Sequence, residues 1–174
     1  FSYNYANNGT TVKTVSVNFY GASALRADAS GVGASDALVR SDSFTTDNVS
    51  KISDLTLRKS STYFTGLQGD EKANFSYNYA NNGTTVKTVS VNLYERLDDP
   101  LTTGVDESET LGRSNDSQVS SESRLVQSDS YKTDNISKIS NIKLRKSSTY
   151  FFGLQGDEKA DYSYNYAANG TTIK

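Results

Sequence analysis

Aromatic and small polar residues alternate through Phe1-Ser2-Tyr3-Asn4-Tyr5, and Val15, Val17 and Phe19 fall at every second position of the run that follows. A period of two is the signature of a strand with one buried face. Asn7-Asn8-Gly9 separates the two runs and marks a hairpin turn. A two-residue loop at Asn8-Gly9 would pair Tyr5 with Val12 and put Val15 on the face opposite Phe1 and Tyr3. A three-residue loop, a type I turn closed by Gly9 in the left-handed conformation, pairs Phe1 with Val15 and Tyr3 with Lys13. Only this second register gathers Phe1, Tyr3, Tyr5, Val15, Val17 and Phe19 on one face, so it is the expected one.

Further along, the run from Val49 to Lys59 places Leu55 and Leu57 in alternation, with Ile52 out of phase as at a bulge. Ser60 to Gly66 reads as a short strand, and Leu67-Gln68-Gly69-Asp70 as a turn with Gly69 at its tight point. No helical period stands out, beyond one possible turn in Glu122–Ser130.

The same stretches return. Residues 75–94 match 1–20 except at Phe19, which becomes Leu93; residues 128–161 match 41–74 with mostly conservative changes. A third copy begins at Tyr162 as Tyr-Ser-Tyr-Asn-Tyr-Ala-Ala-Asn-Gly, so Gly170 keeps the position of Gly9 and Gly83. The expected organisation is unit 1 over 1–74, unit 2 over 75–161, and the start of a third over 162–174. The segments that do not match, 21–37 and 95–124, mark variable loops that extend to 40 and 127. The second is longer, holds the only proline, and is expected to be disordered or loosely packed. The fold expected is all-β: tandem antiparallel meanders forming an elongated, fibre-like or solenoid-like array.

Composition narrows the function. Apolar residues make up 34% of 174, so the core must be thin and the aromatic rings must supply much of it. Cys and His are absent, which removes disulfides, thiolate or imidazole metal sites, and the commonest general base and soft nucleophile. A net charge of −2 argues against a nucleic-acid partner, and no apolar run reaches the ~20 residues of a membrane span. The absence of Met suggests a processed chain or a window from a longer one.

Few side chains offer chemistry. Asp70-Glu71 and Asp157-Glu158 could form the carboxylate pair of a glycoside hydrolase, but they read as solvated turns after Gly69 and Gly156, with Lys72 and Lys159 neutralising them. Asp98, Asp99, Asp106, Glu107 and Glu109 make an acidic loop without Ca²⁺-loop spacing. Asn8, Asn48, Asn74, Asn82, Asn115, Asn135 and Asn169 sit in sequons of the kind that a Ser/Thr-rich chain produces by chance. Arg58-Lys59 and Arg145-Lys146 read as edge-strand charges that oppose aggregation. No catalytic, cofactor or metal residue is assigned, and an enzyme is not expected.

Tyr3, Tyr5 and Gly9, with Tyr77, Tyr79, Gly83 and Tyr164, Tyr166, Gly170, resemble the tyrosine-rich YD (RHS) repeat of bacterial surface and toxin shells; Ala6, Ala80 and Ala167 stand where that pattern has Asp. The longer blocks are similar to tandem units of very large secreted bacterial repeat proteins. That resemblance implies an extracellular or cell-surface β-structure. The expected role is therefore a structural stalk, filament or adhesin spacer. The alternative is a glycan- or surface-binding module using the tyrosine faces Tyr3, Tyr5, Tyr77, Tyr79, Tyr164 and Tyr166. Gly9, Gly83, Gly170, Gly69 and Gly156 are the expected structural turns. The expected partner is another copy of the repeat, with residues 162–174 of one copy meeting residues 1–20 of the next, since a lone hairpin is marginal in water.

Overall fold

The computed structural model describes residues 1–96 and 111–174. Among these the chain is all-β. Ten strands form one open antiparallel sheet: β1 (Ser2–Tyr5), β2 (Val12–Tyr20), β3 (Leu25–Arg26), β4 (Leu38–Phe44), β5 (Arg58–Thr65), β6 (Lys72–Tyr79), β7 (Val86–Tyr94), β8 (Leu125–Tyr131), β9 (Arg145–Phe152) and β10 (Lys159–Asn165). Sheet order follows chain order, except that the short β3 pairs only with the end of β2. Every main strand lies beside its sequence neighbour because each connection joins antiparallel strands that share an end of the sheet. No α-helix occurs among the described residues.

The hairpin register differs from the expected one. Beside the turn Tyr5 pairs with Val12, the pairing weighed above for the two-residue loop; then Asn4 pairs with Thr14, leaving Lys13 over. Beyond that bulge Tyr3 faces Val15 rather than Lys13. The second hairpin repeats this with Tyr79 on Val86, Asn78 on Thr88 and Tyr77 on Val89. The cause is a wider turn: Ala6 N–H donates to Thr11 O at 2.8 Å, Gly9 N–H to Ala6 O at 2.9 Å, and the Asn8 side chain accepts from the Thr10 and Thr11 N–H groups. The bulge absorbs the odd residue, so the aromatic rings and valines still share a face.

The stretch from Val49 to Leu57 is also not a strand. It folds as two single-turn 3-10 helices, Val49–Lys51 and Leu55–Leu57, and its counterpart as Ile136–Lys138 and Ile142–Leu144. Asn48 accepts from Ser50 N–H and Asp54 from Thr56 N–H, so each turn has a side-chain cap that a ladder could not supply. Ile52 is not a strand bulge but the residue that ends the first turn. Strands β4 and β8 begin at Leu38 and Leu125, inside the segments read as loop.

The two faces of the sheet differ sharply. On one, Val15, Val17 and Phe44 are buried, and Val49, Ile52 and Leu57 from the 3-10 segment fold over them. Val89, Val91 and Tyr94 are buried in the second block. Each buried valine contributes about 1.5–3 kcal/mol. The opposite face is a lattice of Ser, Thr and Asn: Ser16 opposes Ser43, Ser43 opposes Ser60, Thr62 opposes Ser76, Ser76 opposes Ser90, and Ser90 opposes Ser130. Their side chains bond one another across strands, as Asn4 Nδ2 does to Thr14 and Ser16 and Asn78 Nδ2 to Thr88 and Ser90.

A carboxylate lies within the apolar face of each block, with different support. Asp42 opposes Val17 and is buried; Arg40 Nε lies 3.2 Å from its Oδ1, without hydrogen-bond alignment, and the Arg40 guanidinium covers the Phe19 ring. In the second block Gln127 replaces the arginine and Tyr131 replaces Phe44. Gln127 Nε2 donates to Asp129 Oδ1 at 2.7 Å and the Tyr131 hydroxyl to Oδ2 at 3.1 Å. One carboxylate is stabilised by a cation and the other by two neutral donors. Burial, reinforced by the Asp129 charge, pushes the Tyr131 phenol far above its ordinary range.

Tyr131→Phe should therefore cost about 1.5–3 kcal/mol, the worth of a hydrogen bond to a charged group. Adding Gln127→Arg, which recreates the arrangement of the first block, should recover a large part of it. Urea unfolding of both variants measures this, and a double variant no more stable than the single one would break the equivalence.

Candidate functional site

The most elaborate arrangement in the molecule joins the end of one sequence block to the hairpin of the next, and it occurs twice. At the first junction β5 pairs with β6, Ser61 opposite Tyr77 and Tyr63 opposite Phe75. The Tyr63 and Phe75 rings stack at 4.7 Å, and Tyr77 meets Tyr63 edge-on at 5.8 Å. At the second junction β9 pairs with β10; Tyr150 stacks on Tyr162 at 4.8 Å and meets Tyr164 edge-on at 5.9 Å. Such ring pairs contribute about 0.5–1.5 kcal/mol each beyond their buried area.

An arginine locks each junction. The Arg58 guanidinium sits 4.0 Å above the Tyr79 ring while its Nε donates to Gly83 O at 3.2 Å. Arg145 does the same to Tyr166 and Gly170, at 4.2 and 3.4 Å. The tyrosine hydroxyls donate back across the seam, Tyr79 to Ser61 Oγ and Tyr166 to Ser148 Oγ, both at 3.3 Å. Arg58 and Arg145 are therefore not edge charges. Strands β5 and β9 are interior, and the guanidinium's planar shape lets it stack and donate together.

The turn glycines complete the lock. Gly9, Gly83 and Gly170 have φ of 69°, 65° and 71°. A β-carbon on Gly83 would overlap the Leu55 carbonyl oxygen, and one on Gly170 the Ile142 carbonyl oxygen. The hairpin turn thus rests directly on the backbone of the preceding 3-10 turn. Gly69 and Gly156 also have positive φ, in the turns that end β5 and β9.

The tyrosines named from the sequence fall into three settings. Tyr77 and Tyr79 lie half-buried at the first junction, and Tyr166 is 8% exposed at the second. Tyr164 remains 38% exposed beside Tyr150. Tyr3 and Tyr5 lie on β1, which no described strand flanks on its outer side. There Phe1 is 62% and Tyr5 53% exposed, and no described residue lies within 4 Å of a β-carbon placed on Gly9.

The glutamate of each paired carboxylate is tied to backbone N–H groups. Glu71 Oε1 accepts from Leu38 N–H at 2.8 Å and Oε2 from Gly69 N–H at 3.0 Å, tying the turn after β5 to the start of β4. Glu158 ties Leu125 and Gly156 in the same way, at 2.9 and 3.0 Å. The bond from Leu38 holds Glu71 below its ordinary value of 4.5. Burial works against Glu158, but the bonds from Leu125 and Gly156 outweigh it and it too is lowered. Asp70 and Asp157 stay exposed. A shallow cleft of about 430 Å³ beside this turn is lined by Tyr20, Ala27, Val32, Asp36 and Glu71, and Asp36 is occupied by Gly33 N–H.

The rest of the second variable segment is anchored rather than loose where it is described. Arg113 Nε donates to buried Asn74 at 2.8 Å and its guanidinium covers Phe75; Arg96 pairs with Asp116, and Lys72 reaches Ser123 O. Sequon asparagines Asn8, Asn48, Asn82, Asn135 and Asn169 cap turns with their own side chains. The acidic residues Asp98, Asp99, Asp106, Glu107 and Glu109 lie outside the described residues. Among the described residues no three His, Cys, Asp or Glu side chains form a metal-binding group, and no helix is long and apolar enough to cross a membrane. No family model, no curated protein and no solved structure matches the chain.

Two measurements follow from this geometry. Gly83→Ala should cost about 2–5 kcal/mol, because backbone strain of ~1–3 and overpacking of ~1–3 act together. Gly9→Ala carries the strain alone and should cost less by the overpacking part; equal losses in denaturant unfolding would remove the docking argument. The second concerns acid. A carboxylate whose folded pKa is lowered contributes stability above its unfolded pKa and loses it as pH falls through the folded value. The double variant Glu71→Gln, Glu158→Gln should show a flatter stability profile below pH about 4.5 than the parent. An unchanged acid slope in pH-dependent unfolding would contradict this.

Proposed function

We propose that this chain is a structural segment of an extracellular or cell-surface β-array, a stalk, filament or adhesin spacer that extends by adding sheet. The observation that carries the reading is the junction itself. Ring stack, arginine lock and turn glycine recur with the same partners at β5–β6 and β9–β10. A contact written twice with near-identical residues is a rule for joining units, and such arrays derive their stability from each unit and its neighbour. The side chains nearest to catalytic chemistry, Glu71 and Glu158, are committed to backbone N–H groups. The variable loops leave and rejoin the sheet at the same end, after β2 and after β7, where length can change without disturbing the ladder.

Growth of this kind has a measurable dimension. Each block adds four main strands to the sheet, and at a strand spacing of 4.7–4.9 Å that is about 19 Å per unit. Chains of two, four and six units should lengthen linearly by about that amount in small-angle scattering. Maximum dimensions that rise only slowly, as for units collapsing onto one another, would refute the array.

A second reading is a glycan-binding module. It is favoured by the aromatic rings that stay open to solvent on one face, among them Tyr3 and Tyr164. Saturable binding on a glycan array, lost in Tyr3→Ala or Tyr164→Ala, would establish it.

A further inference from the structure

We infer that the outer edge of β1, with Tyr5 and Gly9, is a docking site for one specific occupant: the 3-10 turn and strand of another unit with the sequence of residues 54–65. The inference rests on the array reading above and names the partner of its open edge. The strand β1 and its turn are the third copy of a surface whose other two copies are covered. In both covered copies the occupant is the same: a carbonyl at the start of a 3-10 turn beneath the turn glycine, an arginine over the second tyrosine of the hairpin, and a Ser-Ser-Thr-Tyr strand along its edge. At β1 the same receiving groups are present, and no described residue takes the occupant's place. Tyr5 stands where Tyr79 and Tyr166 take their guanidinium, and Gly9 keeps φ 69° with open space above it.

The conformation at Gly9 is informative. The left-handed turn forms there with no described residue resting on it, so the receiving surface is preformed and binding need not order it. The mode is β-augmentation: main-chain bonds along the edge supply affinity, and the arginine, glycine and ring pockets supply specificity. The complementarity also decides between partners. Residues 162–174 are themselves a hairpin of the β1 type, held by β9. They carry the same receiving groups as β1 and not the donating ones. The fitting occupant is therefore a β5-type or β9-type strand, and contact between 162–174 of one copy and 1–20 of another would set like against like.

The test uses the whole chain and a fluorescein-labelled peptide of residues 54–65. Fluorescence anisotropy should show saturable binding to the parent chain and none for a scrambled peptide. Gly9→Asn keeps the left-handed turn, because Asn tolerates that conformation, but puts a side chain on the docking surface. It should weaken binding about tenfold or more, as should Tyr5→Ala in the chain and Arg58→Ala in the peptide. No binding by the parent, or equal binding by Gly9→Asn, overturns the site. Amide exchange across Ser60–Asn78 in the same samples separates the two levels. Protected amides with no peptide binding remove the docking edge alone, whereas unprotected amides remove the array reading beneath it.

Discussion

The close approach of a hairpin turn to the backbone of the 3-10 turn before it is the constraint on which this molecule depends. A single open sheet has no second layer to bury its apolar face, and the chain is short of apolar residues. The solution is to fold the first 3-10 segment back over its valines and to seat the hairpin that follows each 3-10 segment against that segment's backbone. That seat exists only because a glycine leaves room for a carbonyl where any side chain would collide. The arginine then fills the space beside the glycine, stacking on a ring and donating to a carbonyl, so that a cation serves as core material.

The same shortage explains the aromatic rings. Tyrosine and phenylalanine bury large areas with few rotatable bonds, and rows of them across β5, β6, β9 and β10 do what a layer of leucines does elsewhere. The opposite face follows a different logic. Its Ser, Thr and Asn side chains are short and bond to one another across the strands, giving a surface of paired short polar groups among the described residues. Charges sit instead where the ladder is irregular, as at Lys13, Lys59 and Lys146, each the residue left over at a bulge.

Comparison of the two blocks separates what the architecture requires from what it tolerates. The glutamate that ties each turn to a strand start, the arginine lock and the turn glycine are kept in the second block. The support of the buried aspartate is not: an arginine serves in one block and a glutamine with a tyrosine in the other. A buried carboxylate needs compensation, but several chemistries provide it. The variable loop is likewise free in length, yet Arg113 from the second loop reaches back to Asn74 and Phe75 and so contributes to the first junction.

The sequence by itself determined the all-β class, the duplicated blocks, the strand faces and the turns at the glycines, because period-two alternation and positive-φ residues are local signals. It did not determine the hairpin register: the turn is held open by Asn8 and the parity restored by a bulge at Lys13, two opposing effects that cancel on the face pattern. It did not show that Val49–Leu57 forms 3-10 turns, since the spacing of Leu55 and Leu57 fits a strand and the caps at Asn48 and Asp54 are legible only once the segment lies over the sheet. Above all it did not place Arg58 and Arg145. As a dipeptide with lysine each reads as a solvent-facing charge, and only strand order puts it inside the sheet, over a tyrosine 21 residues further along the chain. That pairing depends on which strand lies beside which, a long-range property that no local pattern of residues encodes.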